Sequence, residues 1–276
     1  MTFREALKAG EEYLREQKIE DARVDAWYLL EHCCQISRAH YLMKQTELMP
    51  DSQYSRYQLL LMERGRHVPL QHITGEQEFM GLPFRVNDQV LIPRQDTEIL
   101  VEQAAQVLTP GQKVLDLCTG SGCIGISLAK MVPDLYVVAS DVSPAALETA
   151  RDNALRLDAQ VHFIESNLFE KIQGTFDLIV SNPPYIPTAA IQKLMAEVQF
   201  HEPRSALDGR KDGLHFYREI IRESDFYLKR GGWLMFEIGF DQGEAVSAMM
   251  HEKEYTKVKI IKDLAGLDRV VTGRRI

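Results

Sequence analysis

From Lys113 onward the chain repeats one pattern, a short apolar run, a turn and then an amphipathic stretch, and this alternation leaves few folds open. Strands are expected at Val114–Cys118, Leu135–Ser140, Val161–Ile164, Phe176–Ser181, Trp233–Ile238, Thr256–Lys262 and Asp268–Thr272. Helical stretches lie between most of them, as at Pro144–Leu157 and Gly213–Leu228. Strands joined through helices pair in parallel and are covered on both faces. Only Asp263–Leu267 separates the last two, too little for a parallel crossover, so these should pair antiparallel. The expected fold is α/β: a mostly parallel seven-stranded sheet closed by an antiparallel C-terminal hairpin.

The first 75 residues read differently. Leu7, Tyr13 and Leu14, then Ala26, Trp27, Leu29 and Leu30, then Tyr57, Leu60 and Leu61 recur at helical spacing. Pro50 and Asp51 suggest a stop and an N-cap between the last two helices. Residues 1–75 are therefore expected to form a small helical bundle, whose reading as a substrate-recognition domain stands beside simple packing. Residues 76–93, where Gly81, Pro83 and Asn87-Asp88 interrupt an apolar series, suit a hairpin or linker. Residues 94–276 form the catalytic domain in this reading.

Of the 276 residues, 32 are Lys or Arg and 40 are Asp or Glu, a formal charge of −8. Affinity for bare DNA or RNA normally needs a basic excess, so no stable nucleic-acid partner is expected. No apolar run reaches the roughly 20 residues that cross a bilayer, and the N-terminus lacks the features of a signal peptide. The four cysteines, Cys33, Cys34, Cys118 and Cys123, form neither a zinc spacing nor a disulfide framework. The histidines form no metal-ligand set. A reduced, cytoplasmic setting without membrane or metal is the expectation.

The first strand of the sheet runs into Cys118-Thr119-Gly120-Ser121-Gly122 and then a helix. Gly120, Gly122 and Gly125 fit the G-x-G-x-x-G spacing, in which glycines let backbone N–H groups approach a ligand near a helix N-terminus. A pyrophosphate or the carboxylate of S-adenosylmethionine would suit that turn. Asp141 ends the second strand, 19 residues after Gly122. A carboxylate there accepts hydrogen bonds from ribose hydroxyls, and it could also cap the helix starting near Pro144. Asp116 could hold the loop or face a cationic amine. Asn167, after the third strand, stands where an adenine contact is expected.

The fourth strand ends in Asn182-Pro183-Pro184-Tyr185, at the carboxyl edge that borders the ligand crevice of such sheets. An amide or aryl amine nitrogen has a delocalised lone pair and is a poor nucleophile. Two acceptors on its N–H groups orient it and draw electron density towards nitrogen. The Asn182 side-chain oxygen and the Pro183 carbonyl can supply them. The prolines fix the backbone, and Tyr185 offers an aromatic face to the planar group. This acceptor pair has no use in a dehydrogenase, which selects S-adenosylmethionine over NAD.

With these residues in view the chain resembles class I, Rossmann-like methyltransferases, and within them the protein-(glutamine-N5) methyltransferase family that modifies peptide chain release factors. The likeness includes Pro69–Glu76, Leu91–Arg94 with Asp96-Thr97-Glu98, the Thr119–Gly122 loop, Ser181–Tyr185, His201-Glu202-Pro203, Asp212-Gly213-Leu214 and Glu237-Ile238-Gly239. The resemblance implies cofactor contacts at Cys118, Thr119, Gly120, Ser121, Gly122, Asp141, Asn167, Leu168 and Asn182. It implies that Asn182, Pro183, Pro184 and Tyr185 hold the glutamine of a Gly-Gly-Gln loop, with Asn182, Pro183 and Tyr185 as the catalytic set. Cys118 departs from a usual glycine, Gln95 from a proline, Asn167 from an aspartate and Leu168 from an aromatic residue. Adenine-N6 methyltransferases acting on DNA or RNA share Asn-Pro-Pro-Tyr and are the alternative. His201-Glu202 could be an acid/base pair or a loop brace, and Glu237 could line the cleft or cap a turn.

Overall fold

A computed structural model describes residues 1–276. In chain order the elements are α1 (Phe3–Glu16), α2 (Ala22–Cys34), α3 (Arg38–Lys44), α4 (Asp51–Gly65), α5 (Leu70–Thr74), β1 (Glu76–Phe79), β2 (Leu82–Arg85), α6 (Gln95–Val107), β3 (Lys113–Leu117), α7 (Cys123–Met131), β4 (Tyr136–Asp141), α8 (Pro144–Arg156), β5 (Val161–Glu165) and β6 (Phe176–Ser181). After a 3-10 turn at Thr188–Lys193 come α9 (Ala196–His201), α10 (Arg204–Leu207), α11 (His215–Tyr227), β7 (Leu228–Glu237), α12 (Gly243–Glu252), β8 (Thr256–Lys262) and β9 (Asp268–Arg274).

The chain divides into two compact units, one of residues 1–75 with 195–201 and the other of residues 76–194 with 202–276. In the first, α1 starts at a capping box: Thr2 Oγ1 accepts from the Glu5 N–H, and the Thr2 N–H donates back to Glu5 Oε2 at 2.8 Å. Leu14, Ala26, Leu29, Leu30 and Tyr57 close a core without solvent access. Pro50, not Asp51, occupies the N-cap of α4, and Asp51 is the first helical residue. Proline is at ease beside a helix start because its missing N–H would go unpaired there, and the acid still favours the positive helix end. Arg64 is buried in this unit, with Nε donating to Asp25 at 2.6 Å and Nη2 to Glu197 of α9 at 2.5 Å. Two carboxylates against one guanidinium let this charge sit inside, since a buried ion is tolerated only when paired.

In the second unit β1 and β2 form a hairpin through Met80 and Gly81, both at positive φ, as a two-residue turn of matching twist requires. Its Phe79 and Phe84 pack edge to face and join the core against Leu100 and Ala104 of α6. The main sheet has the order β5-β4-β3-β6-β7-β9-β8. Pairings from β5 to β7 are parallel, and β9 runs antiparallel to both β7 and β8. Alternate strand residues feed two cores: Val114, Leu178 and Met235 meet α6 and α7, whereas Leu115, Ile179 and Phe236 meet α11 and α12. No helix crosses from β5 to β6; a short turn segment makes that connection. No helix is long and apolar enough to cross a membrane.

Candidate active site

The chain runs from β3 outward to β4 and β5, then returns to β6 on the other side, so the topological switch lies between β3 and β6. Ligands bind beyond the carboxyl ends of strands at such a point. Ser181 Oγ ties the two ends together, donating to the Leu117 carbonyl at 2.7 Å. A cleft of about 940 Å³, its open mouth included, lies there. It is walled by the loop after β3, the ends of β4, β5 and β6, the start of α6 and residues around Ala206 and Phe216.

Three devices shape the loop after β3. Cys118 takes φ +60°, the left-handed conformation that favours glycine, so a side chain stands where the backbone needs none. Burial pushes its thiol far above the ordinary range. Asp116, fully buried, accepts from Thr119 Oγ1 at 2.6 Å and from the Gly125 N–H at 3.0 Å. It therefore holds the loop, and burial raises its carboxyl to about 7 against those two bonds. A Cβ on Gly125 would stand 3.0 Å from that carboxylate, so a side chain here would push on Asp116 and glycine suits the close approach of helix and strand.

The third device is Asn153 of α8, without solvent access. Its Oδ1 accepts from the Arg85 N–H at 2.7 Å, and its Nδ2 donates to the carbonyls of Arg85 and Ser121 at 3.0 Å each. One amide thus fastens β2 to the glycine loop. Asn153→Ala removes three hydrogen bonds to backbone groups, and the expected loss is about 3 kcal/mol of folding free energy. Urea denaturation at constant m-value reads this directly; an unmoved midpoint would refute the bracing role.

Asp141, at the end of β4, accepts from the Gly120 N–H and from the Ser143 N–H, both at 2.9 Å. Burial lifts its carboxyl above the usual range, against those backbone bonds. It does not cap α8; Ser143 does, its Oγ accepting from the Ala146 N–H at 3.2 Å. Each Asp141 oxygen keeps a lone pair, and the residue lines the cleft. Asp141→Ala should weaken S-adenosylmethionine binding by about 1–3 kcal/mol, the size of a lost charged hydrogen bond. Calorimetric titration would show an unchanged dissociation constant if the ribose assignment were wrong. Asn167 and Leu168 also line the cleft, but the Asn167 amide donates to Glu170 at 2.7 Å.

Of the four residues after β6, Asn182 and Pro184 line the cleft. Pro183 is buried, and Tyr185 turns its hydroxyl to Glu237 Oε1 at 3.3 Å, so it is a strut of this wall and not one of the cleft-lining side chains. The Tyr185 main chain is fixed by Gln242, whose Nε2 donates to its carbonyl at 3.0 Å. Gly213 passes so close that a Cβ there would stand 2.3 Å from the same carbonyl.

Glu237 ends β7, 1% exposed, and neither lines the cleft nor caps a turn. Its Oε2 accepts from Thr97 Oγ1 at 2.5 Å. Asn182 Nδ2 in turn donates to Thr97 Oγ1 at 3.4 Å. The order of donors follows from chemistry. A carboxylate can only accept, so the single Thr97 proton goes to Glu237, and the Thr97 oxygen can then only accept from Asn182. The Asn182 NH₂ is thereby held at Thr97, and its Oδ1 remains the free acceptor. Burial is the largest influence on Glu237 and raises its carboxyl to about 6, opposed by Thr97, Arg269 and Tyr185.

Glu202 receives Arg94 at 2.6 Å with its side chain 1% exposed, which makes it a brace of the cleft rim; neither Glu202 nor His201 is among the residues that line the cleft. Thr97, Asn153 and Gln242 are the site residues that sequence reasoning missed. Thr97 and Asn153 sit on buried helical stripes, with Leu100, Val101 and Ala104 and with Ala146, Leu147 and Ala150 respectively. A polar side chain on such an apolar stripe is the signal that could have found them.

The cleft fits an amino acid joined to a nucleoside. Gly120 and Gly122 at positive φ open the loop, Ser121 lines the wall with its buried hydroxyl met only by the Cys123 thiol, and Asp141 closes the neighbouring strand. A buried hydroxyl with so weak a partner in a ligand wall is what a bound polar group would satisfy. Joined to this sheet order and to Asn182 at the switch point, it makes the chain an S-adenosylmethionine-dependent methyltransferase of class I. Known proteins agree. Residues 5–75 match the family described as PrmC N-terminal domain, and residues 94–210 the methyltransferase small domain. The release factor glutamine methyltransferase of Geobacter sulfurreducens is 42% identical over 274 residues, covering 99% of this chain and 96% of that protein. The one from Moorella thermoacetica is 41% identical over 281 residues, covering 100% and 99%. Among solved structures, a methyltransferase from Pyrococcus furiosus superposes with a TM-score of 0.55 at 18% identity, covering 80% of this chain and 98% of that one, a likeness of fold. The chain belongs to the release factor glutamine methyltransferase family.

Proposed function

We propose that this chain transfers the methyl group of S-adenosylmethionine to the side-chain amide nitrogen, N5, of the glutamine in the Gly-Gly-Gln motif of peptide chain release factors. The observation that carries this reading is the Asn182 amide, held by Thr97 and Glu237 so that its Oδ1 is presented as an acceptor beside the cleft. A primary amide has two N–H groups to hold; Asn182 Oδ1 takes one and the Pro183 carbonyl the other.

In this reading the glycine loop from Cys118 to Gly122 holds the amino-acid end of the cofactor, Asp141 the ribose, and Asn167 and Leu168 border the adenine. When bound, the cofactor supplies a methyl group already activated on a sulfonium. The chain's own contribution is then alignment of the acceptor nitrogen, from which in-line positioning can draw on the order of 7–11 kcal/mol. Pro183 and Pro184 keep the backbone carbonyls directed into the site. Tyr185 supports this stretch from below through Glu237. The helical unit reads the protein substrate.

The test is radiolabelled methyl transfer from S-adenosylmethionine to purified release factor, to the same factor with its Gly-Gly-Gln glutamine replaced, and to DNA and ribosomal RNA. Label is expected on the unaltered factor alone. Label on nucleic acid in its place would overturn the reading.

A further inference from the structure

The helical unit has a concavity of its own, about 690 Å³ of open space, walled by Arg4, Lys8, Arg23, Arg38, Trp27 and Tyr41. Four cations meet there in a chain whose net charge is −8. The one carboxylate in the wall, Glu11, is already engaged by Arg15 at 2.5 Å. Lys8 stands 3.7 Å from Glu12 and Arg4 donates to Gln45 at 3.1 Å, which leaves Arg23 and Arg38 as the two cations of the wall without a polar side-chain partner, placed where like charges repel.

The aromatic pair organises it. Trp27 and Tyr41 meet edge to face, their ring centroids 5.2 Å apart, and Tyr41 is buried. The Arg38 guanidinium lies over Trp27, its Cζ 4.2 Å from the ring centroid, and 5.6 Å from that of Tyr41. A stacked guanidinium spends its face on the ring and keeps its in-plane N–H donors for a partner. Those donors match a carboxylate bidentately, and holding the side chain in place beforehand lowers the ordering cost of binding. A surface whose affinity comes from tracking phosphates normally carries a basic excess over its whole domain. One concavity in an acidic chain suits a few carboxylate side chains better.

We propose that this concavity docks an acidic segment of the protein substrate lying outside its Gly-Gly-Gln loop. The proposal rests on the release-factor reading and adds which surface engages the factor and by what chemistry. Docking of this kind acts on encounter and retention of the substrate and leaves the methyl-transfer step untouched.

The test uses the whole chain and its Arg23→Glu/Arg38→Glu variant, with Arg23→Lys/Arg38→Lys as the conservative control. Calorimetric titration with a polyglutamate peptide should show binding that falls at least about tenfold in the charge-reversed variant, the scale of one lost charged contact, and is partly kept by the lysine variant. In steady-state methylation of intact release factor, the charge-reversed variant should raise KM by a similar factor and leave kcat unchanged. Polyglutamate should raise KM for the unaltered enzyme in the same way. An unmoved KM, or binding of a single-stranded RNA oligomer with none of polyglutamate, overturns the docking proposal. Polyglutamate binding without any methyl transfer to release factor by the unaltered chain overturns the release-factor reading and this partner with it.

Discussion

Replacing Asn182 by alanine is expected to lower kcat at least about 100-fold, the effect typical of removing one preorganised polar group from a reacting centre. The amide nitrogen of glutamine reacts poorly because its lone pair is shared with the carbonyl. Holding an N–H at Asn182 Oδ1 helps in two ways: it turns the nitrogen towards the methyl donor, and it stabilises positive charge as that charge grows on the nitrogen. The second interaction strengthens along the reaction, so its loss falls on kcat more than on KM. Cofactor affinity should change little, because the loop after β3 and the end of β4 supply most of that wall. Single-turnover methyl transfer combined with calorimetry separates the two quantities. Near-normal turnover would remove Asn182 from the acceptor role.

Thr97→Val is the second large effect. Valine keeps the shape and deletes the hydroxyl that passes orientation from Glu237 to Asn182. The loss of a hydrogen bond to a charged group is worth about 1.5–3 kcal/mol, so kcat should fall by roughly 10- to 100-fold, with S-adenosylmethionine binding nearly unchanged. A structural role alone would lower stability and leave kcat per folded molecule intact. The pH profile adds an independent reading. Glu237 orients Thr97 as an acceptor only while ionised; a neutral carboxyl can itself donate, which frees the Thr97 proton to turn on Asn182 and reverse the amide. Activity should therefore rise with pH through about 6, and Glu237→Gln should flatten that limb. Stability runs the other way. The folded carboxyl is raised from 4.5 to about 6. Its contribution is thus fully present below 4.5 and lost as pH rises through 6, a change of about 2 kcal/mol. Unfolding midpoints between pH 4.5 and 7 should show a decline over the window in which activity climbs.

Much of this architecture is legible in the sequence because burial on both faces writes a strand as a continuous apolar run. Phe176–Ser181 stands at the expected bounds for this reason; Thr256–Lys262 does so too although it is a largely exposed edge strand, and the short Asp263–Leu267 link gives the antiparallel end of the sheet. The glycine loop, Asp141 and Asn182 could be found because each sits at a strand end, where the ligand crevice must be. Caps were harder. Asp141 and Ser143 are both plausible ahead of Pro144, and Asp51 competes with Pro50, since a cap is decided by backbone angles that composition does not record. The supports were hardest. Thr97 and Asn153 act across 140 residues to Glu237 and 68 residues to Arg85, and nothing local announces a partner so distant. The bond from the Tyr185 hydroxyl to Glu237 is of the same kind, made to a buried acid 52 residues away.

The seven residues from Met195 to His201 give the helical region a second point of entry into the chain. Cutting the gene after Gly75 therefore does not separate two modules. It would strip Glu197 of the guanidinium it binds and leave α9 without the bundle whose compact unit it completes. In an evolutionary sense the two regions are stitched twice, and exchange of the N-terminal piece between relatives requires the short insert to travel with it. A graft carrying only the first 75 residues inherits a buried Arg64 facing the wrong helix.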